Sequence, residues 1–172
     1  NGGSFITKAT VQLMRDLGSI QSPQNAFYLN LGLESLHVRM AQHCKNGQAV
    51  AEALANNPKV AHVSYPGLPG DTYYELAQKY LPGGSCGVIT VDVAGGREAA
   101  EKFLGNLKVF SIATHVADAR SCCLHPASST HRQLTDEELV AAGITLGTVR
   151  LSCGIEGTED LINDVEQALA AL

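Results

Sequence analysis

A proline-free stretch from residue 24 to residue 56 is the feature that most limits how this sequence can fold. It contains only two glycines, Gly32 and Gly47. Ser22-Pro23 precedes it and favours a helix start, because serine caps the first turn and proline is tolerated at its first position. A single helix of this length would extend roughly 50 Å, and we expect any break to fall between Cys44 and Gly47. The stretch is therefore predicted to be a strut that joins two domains.

The pattern changes after residue 57, where short segments of strand and helix alternate. Their short connections predict an α+β sandwich, in which helices cover one face of a mostly antiparallel sheet. We assign residues 1–56 to a helical remnant of a larger domain and residues 57–172 to a small domain. The predicted strands are residues 60–65, 87–93, 109–112, 121–124 and 148–153, and the predicted helices are residues 71–80, 97–107, 135–142 and 158 onward.

Composition excludes several classes of protein. With 45% hydrophobic and 17% charged residues, the chain is expected to be globular. The net charge of −5 and the lack of a Lys/Arg run argue against nucleic acid or an anionic membrane as partner. Five cysteines, an odd number, favour reduced thiols and a cytoplasmic protein. The first residue is Asn1 rather than methionine, which we interpret as the sign of a fragment.

Arg150 is the strongest candidate for a functional residue. In the predicted strand 148–153, Val149 and Leu151 point to one face, while Arg150 and Ser152 point to the other. An arginine within an apolar strand is costly unless it has an anionic partner. That partner is either a structural carboxylate such as Glu156 or the carboxylate of a substrate, bound by both arms of the guanidinium.

Three other motifs have ordinary structural explanations. The polar segment 125–131 can cap a turn or bind a ligand. Cys122, Cys123 and His125 could suggest a metal site, but adjacent strand residues point to opposite faces, so we predict none. Lys8 follows a serine and a threonine at a spacing that resembles the one found around some cofactor-binding lysines. Because Lys8 precedes an amphipathic helix, we instead expect it to lie on a solvent-exposed face.

Six segments together resemble one known family. They are residues 11–18, 22–27, 32–40 followed by His43, 65–68, 124–131 and 149–156. Their order and spacing are similar to the C-terminal part of the Cys/Met-metabolism enzymes that use pyridoxal phosphate. The pair H-P-A-S-x-T-H and V-R-L-S-x-G-I-E is the most specific part of the resemblance. Within that family, the stretches 30–34, 113–120 and 130–139 are most similar to O-acetylhomoserine sulfhydrylases.

The resemblance implies an aspartate-aminotransferase-like C-terminal domain preceded by helices that end the large domain. It implies that Arg150 binds the α-carboxylate of an amino-acid substrate, with His115 and Ser128 as further candidates for substrate contact. It also implies a homotetramer when the protein is complete, and sulfide or a thiol as the second substrate. The Schiff-base lysine and the other pyridoxal phosphate ligands would lie upstream, so no catalytic, cofactor-binding or metal-binding residue is assigned here.

The expected reaction is the formation of homocysteine or methionine from O-acetylhomoserine, with this fragment inactive alone. Methionine γ-lyase and cystathionine γ-synthase or lyase are alternatives within the same family. A non-catalytic α+β binding module is the alternative from a different class. The long helix argues against it, because its apolar faces need a further domain or a second subunit to cover them.

Overall fold

The computed structural model describes residues 2–172. Its contacts form two compact units, one ending at His37 and the other beginning at Val38. No helix within the described residues is both long enough and apolar enough to cross a membrane.

The first unit is helical. Three successive parts run from Gly2 to Leu17: α1 (Gly2–Thr7), a π-helical segment (Lys8–Met14) and α2 (Arg15–Leu17). Gly18 ends them with a φ of 68°, and its N–H donates to the carbonyl of Met14 at 2.8 Å. The left-handed conformation suits glycine, which has no Cβ to clash.

The next helix, α3 (Pro23–Glu34), begins where the sequence predicts. The Ser22 hydroxyl accepts a hydrogen bond from the N–H of Asn25 at 3.2 Å, and Pro23 occupies the first turn. Ser35 then separates α3 from α4 (Leu36–Ala55). The predicted break between Cys44 and Gly47 is therefore wrong, since α4 continues through those residues.

Gly47 lies inside α4 because the helix packs very closely on the chain before the second strand. A Cβ at this position would clash with the carbonyl oxygen of Cys86 and would lie 3.0 Å from Cα of Gly87 and 3.1 Å from Oη of Tyr65. This glycine permits close approach of two backbones and does not interrupt the helix.

The second unit contains a five-stranded sheet in the order β1-β2-β5-β4-β3. All neighbouring strands are antiparallel except β3 and β4, which are parallel. The strands are β1 (Val60–Ser64), β2 (Val88–Val93), β3 (Ser111–Ile112), β4 (Cys122–Leu124) and β5 (Thr148–Ser152).

Helices and one tight turn connect these strands. They are α5 (Tyr74–Tyr80), α6 (Gly96–Asn106), a 3-10 turn (Pro126–Ser128), α7 (Asp136–Ala141) and α8 (Thr158–Ala170). Thr135 and Glu138 form the predicted capping box at the start of α7. Asp71 caps the turn before α5, where its carboxylate accepts from the N–H of Tyr73 at 2.8 Å and from that of Tyr65 at 3.0 Å.

One face of the sheet forms the core together with α4, α6 and α8. The alternating residues of the two central strands are buried there, among them Ile89, Val91, Val149 and Leu151. The predicted α+β fold, a mostly antiparallel sheet covered by helices, is thus confirmed. The assignment of residues 1–56 and 57–172 to two domains of a larger protein stays a prediction, although α4 from Val50 to Leu54 belongs to the core of the second unit.

Candidate functional site

Arg150 lies on the face of the sheet opposite the core, as the alternation of β5 predicts. Val149 and Leu151 are fully buried on the core side. Thr90 of β2 and Leu124 of β4 pair with Arg150 across the two neighbouring strands. The guanidinium is therefore carried by the central strand of the sheet, which limits its movement.

Two backbone carbonyls hold the guanidinium in place. Nη2 of Arg150 donates to the carbonyl oxygens of Thr114 at 3.0 Å and His115 at 3.3 Å. Both belong to the loop between β3 and β4. Carbonyls accept hydrogen bonds but carry no net charge, so these contacts orient Arg150 and leave its positive charge uncompensated.

Glu156 does not provide the missing negative charge. Its carboxylate accepts from the N–H of Ser121 at 2.6 Å and from the Ser121 hydroxyl at 2.8 Å. No carboxylate in residues 2–172 forms an ion pair with Arg150. The sequence left open an ion pair between Arg150 and a structural carboxylate. That ion pair is not formed within residues 2–172, and the guanidinium is available to an anion.

Asp118 is the carboxylate on the loop between β3 and β4. The N–H of Arg120 donates to its Oδ1 at 3.0 Å, and this hydrogen bond lowers the pKa of Asp118 below its ordinary value. The charge of Asp118 is thus engaged with the backbone of its own loop.

His115 reaches the site through its backbone. Its carbonyl oxygen accepts from Arg150 and from the Cys122 thiol at 3.0 Å, while its side chain is exposed. The structure therefore places His115 next to Arg150. A direct contact between its imidazole and a substrate stays a prediction.

Ser128 forms a local hydrogen bond with His125. Nε2 of the buried His125 lies 2.9 Å from the carbonyl of Leu146, and this nitrogen must carry the hydrogen because a carbonyl only accepts. The Ser128 hydroxyl oxygen lies 2.8 Å from Nδ1 of the same ring. Ser128 makes no hydrogen bond to Arg150 within the described chain, and its role in substrate binding stays a prediction.

Cys122 and Cys123 point to opposite faces, as expected for adjacent strand residues. Cys123 belongs to the core, whereas Cys122 pairs with Ser152 and faces the side of Arg150. Burial raises the pKa of Cys122. A hydrogen bond with Ser152 and the charge of Arg150 both act to lower this pKa, but the effect of burial is larger. Within residues 2–172, no three His, Cys, Asp or Glu side chains lie close enough together to hold a metal ion.

Comparison with known proteins identifies the family. The model of the family described as Cys/Met metabolism PLP-dependent enzyme matches residues 2–170. The chain belongs to this family. The motif segments predicted to carry the resemblance are thus part of a match over almost the whole chain, and the family uses pyridoxal phosphate.

Individual relatives include enzymes of more than one activity. The chain is 46% identical to the O-acetyl-L-homoserine sulfhydrylase of Leptospira meyeri, a match that covers 96% of this chain and 38% of that protein. It is 42% identical to the L-methionine gamma-lyase of Porphyromonas gingivalis, over 98% of this chain and 42% of that protein. The chain therefore spans about two fifths of the length of these relatives.

A solved structure shows the same fold. A candidate O-acetylhomoserine (thiol)-lyase from Campylobacter jejuni superposes with a TM-score of 0.87 at 39% identity, over 95% of this chain and 39% of that chain. Its crystal structure contains N'-pyridoxyl-lysine-5'-monophosphate. This likeness confirms the aspartate-aminotransferase-like class of the domain.

The N–H groups of the Arg150 guanidinium that the two carbonyls leave free fit a carboxylate. We assign none of the described residues to the cofactor, and that assignment stays a prediction. Sequence reasoning missed the carbonyls of Thr114 and His115, because backbone contacts from a distant loop leave no trace in residue types. It also missed the burial of His43. The only signal in the sequence was that His43 follows residues 32–40 in one of the segments that resemble the family.

Proposed function

We propose that the chain is the substrate-binding part of a pyridoxal phosphate-dependent transferase. The complete enzyme would make homocysteine or methionine from O-acetylhomoserine and sulfide or methanethiol. The relatives named O-acetyl-L-homoserine sulfhydrylase support this choice, at 46% and 42% identity. The chain would contribute the group that binds the α-carboxylate, and the upstream domain would contribute the catalytic residues.

The observation that carries the proposal is the uncompensated charge of Arg150. The guanidinium is fixed by two carbonyls and has no ion pair with any carboxylate of the described residues, so it offers its remaining N–H groups to an anion. Guanidinium and carboxylate are matched in shape and can form two parallel hydrogen bonds. An amino-acid substrate brings such a carboxylate.

Arg150 would act by orientation. When bound, pyridoxal phosphate supplies an electron sink for breaking bonds at the α-carbon. Holding the carboxylate fixes the rotation of the substrate around that carbon, and fixed orientation contributes directly to the rate. His115 and Ser128 are proposed as further contacts to the substrate.

The remaining features of the complete protein follow from the same proposal. We expect the fragment alone to be inactive, because the Schiff-base lysine would lie in the upstream large domain. We also propose a homotetramer and a cytoplasmic location. Neither nucleic acid nor a membrane is an expected partner.

The test is Arg150→Ala in the full-length enzyme. Loss of a desolvated charge pair is expected to weaken substrate binding by about 2–5 kcal/mol, while the absorbance of the bound cofactor stays unchanged. Arg97→Ala is the matched control, since Arg97 pairs on the surface with Asp136 at 2.6 Å and exposed pairs contribute little. Unchanged kcat and KM in the Arg150 variant would show that the assignment is wrong.

A methionine γ-lyase is the second candidate. The relatives of that name are 42–43% identical to this chain, close to the identity of the sulfhydrylases. Product analysis separates the two, because homocysteine formed from O-acetylhomoserine and sulfide indicates the transferase and 2-oxobutyrate formed from methionine indicates the lyase. Cystathionine as product or substrate would point to cystathionine γ-synthase or lyase. A full-length protein with no turnover on any of these would favour the non-catalytic binding module.

A further inference from the structure

One ring nitrogen of the buried histidine His43 has no hydrogen-bond partner in the part of the chain that the structure describes. Its Nδ1 lies 2.6 Å from the carbonyl oxygen of Cys153. Since a carbonyl only accepts, Nδ1 carries the hydrogen, and in that tautomer Nε2 can accept a hydrogen bond. The side chain is 1% exposed, and Nε2 has no hydrogen-bond partner among residues 2–172. Buried polar atoms are rarely left unsatisfied, so this nitrogen needs an explanation.

His43 lines a small cavity beside the end of β5, the strand that carries Arg150. The cavity has a volume of about 40 Å³, and Ser152, Ala117 and Cys86 also line it. Ser152 follows Arg150 by two residues on β5 and therefore lies on the same face of the sheet. The cavity is large enough for a water molecule, which needs a volume of roughly 10–15 Å³.

Two strained residues meet at the same cavity. Within the described chain, Cys86 and Ala117 are the two non-glycine residues with positive φ, at 72° and 57°. Both line this cavity. Such conformations persist only where the surroundings fix them, and they concentrate at functional sites.

The cavity is connected to the loop that holds Arg150. The N–H of Ala117 donates to the Ser152 hydroxyl oxygen at 3.1 Å. Ala117 lies in the same loop as Thr114 and His115, whose carbonyls accept from Arg150. A molecule in the cavity would therefore lie beside the loop whose carbonyls accept from the guanidinium.

We propose that this cavity is a binding site for one water molecule, which hydrogen-bonds to Nε2 of His43 and supports the loop that orients Arg150. Water suits the site because it can donate to the imidazole and also accept from the thiol or hydroxyl groups of the lining. His43 is then a positioning residue, which acts on the substrate through the loop and Arg150. The functional part of this inference rests on the proposed role of Arg150.

A high-resolution crystal structure of the full-length enzyme tests the site itself. It is expected to show one ordered water within hydrogen-bond distance of His43 Nε2. An empty cavity, or a protein group bonded to Nε2, would overturn the proposal. This result does not depend on any activity, so it separates failure of the water site from failure of the proposed function.

Substitution of His43 tests the positioning role. His43→Asn keeps a donor in place of Nδ1 for the Cys153 carbonyl and removes the acceptor at Nε2. The expected result is a rise of about tenfold in KM for the amino-acid substrate, the equivalent of one hydrogen bond, with cofactor absorbance unchanged. His43→Gln places a polar group near the position of Nε2 and is expected to restore part of the lost affinity.

The matched control is His62→Asn, because His62 is exposed on β1. It is expected to leave KM unchanged. If the His43→Asn enzyme is stable and saturates at the original KM, the positioning role is refuted. A KM that rises equally in the two asparagine variants refutes it as well.

Discussion

Single residues of the sheet differ in chemistry according to the face on which they lie. On the core face, burial raises the pKa of Cys123 and Cys153 from 9.0 to about 12. A raised pKa favours the neutral thiol, and this contribution to stability is present below pH 9 and is lost as the pH rises from 9 to 12. The free energy of unfolding should therefore fall across that range.

The same burial should protect these two thiols from alkylation. Iodoacetamide reacts with the thiolate, so Cys123 and Cys153 are expected to stay unlabelled in the folded protein at neutral pH. All five free cysteines should react after unfolding in guanidinium. Mass spectrometry of the labelled peptides gives the answer, and equal labelling rates in the folded and unfolded protein would contradict the prediction.

Glu156 holds two segments, one through its carboxylate and one through its backbone carbonyl. It accepts two hydrogen bonds from Ser121, while its backbone carbonyl accepts from the side chain of Asn46 at 2.9 Å. Glu156→Gln replaces one accepting oxygen by a donor and is expected to cost about 1–3 kcal/mol of stability. Urea unfolding measures the loss. Glu166→Gln on the exposed side of α8 is the control and should change stability by less than about 0.5 kcal/mol.

At the scale of elements, the contact between α4 and the chain before β2 depends on Gly47. Gly47→Ala would drive a methyl group into the Cys86 carbonyl, and it is expected to destabilise the protein by about 1–3 kcal/mol or more. Gly105→Ala is the matched control, because Gly105 lies in α6 with nothing within 4 Å of a Cβ. There the change should stabilise the helix by about 0.5–1 kcal/mol. Thermal unfolding of the two variants should shift in opposite directions.

The elements also show which parts of the structure the sequence can predict. The starts of α3 and α7 were predictable, because Ser22, Thr135 and Glu138 satisfy backbone groups of their own helices. The face of Arg150 was predictable too, since side chains alternate along any strand. The position of the helix break at Ser35 and the role of Gly47 could not be predicted from the sequence. Gly47 depends on a contact with residues forty positions away, and sequence spacing carries no information on such contacts.

The whole molecule consists of two units with very different surfaces. The unit that begins at Val38 contains the entire hydrophobic core. In the unit that ends at His37, large apolar side chains are exposed along all its helices, including Phe5, Leu17, Phe27 and Leu33. Exposed apolar surface on this scale is typical of an interface. In the complete protein, we expect the upstream domain or another subunit to cover it.

This difference predicts how two versions of the chain behave in solution. The 172-residue chain expressed alone should associate as its concentration rises and should bind the dye ANS, because water-exposed apolar side chains attract one another and the dye. A version that begins at Val38 keeps the core and should remain monomeric with weak dye binding. Size-exclusion chromatography with light scattering measures the mass of each. If both versions run as monomers with equal dye fluorescence, the exposed apolar side chains of the first 37 residues do not cause association. The expectation that a second domain or subunit covers them would then lose its support.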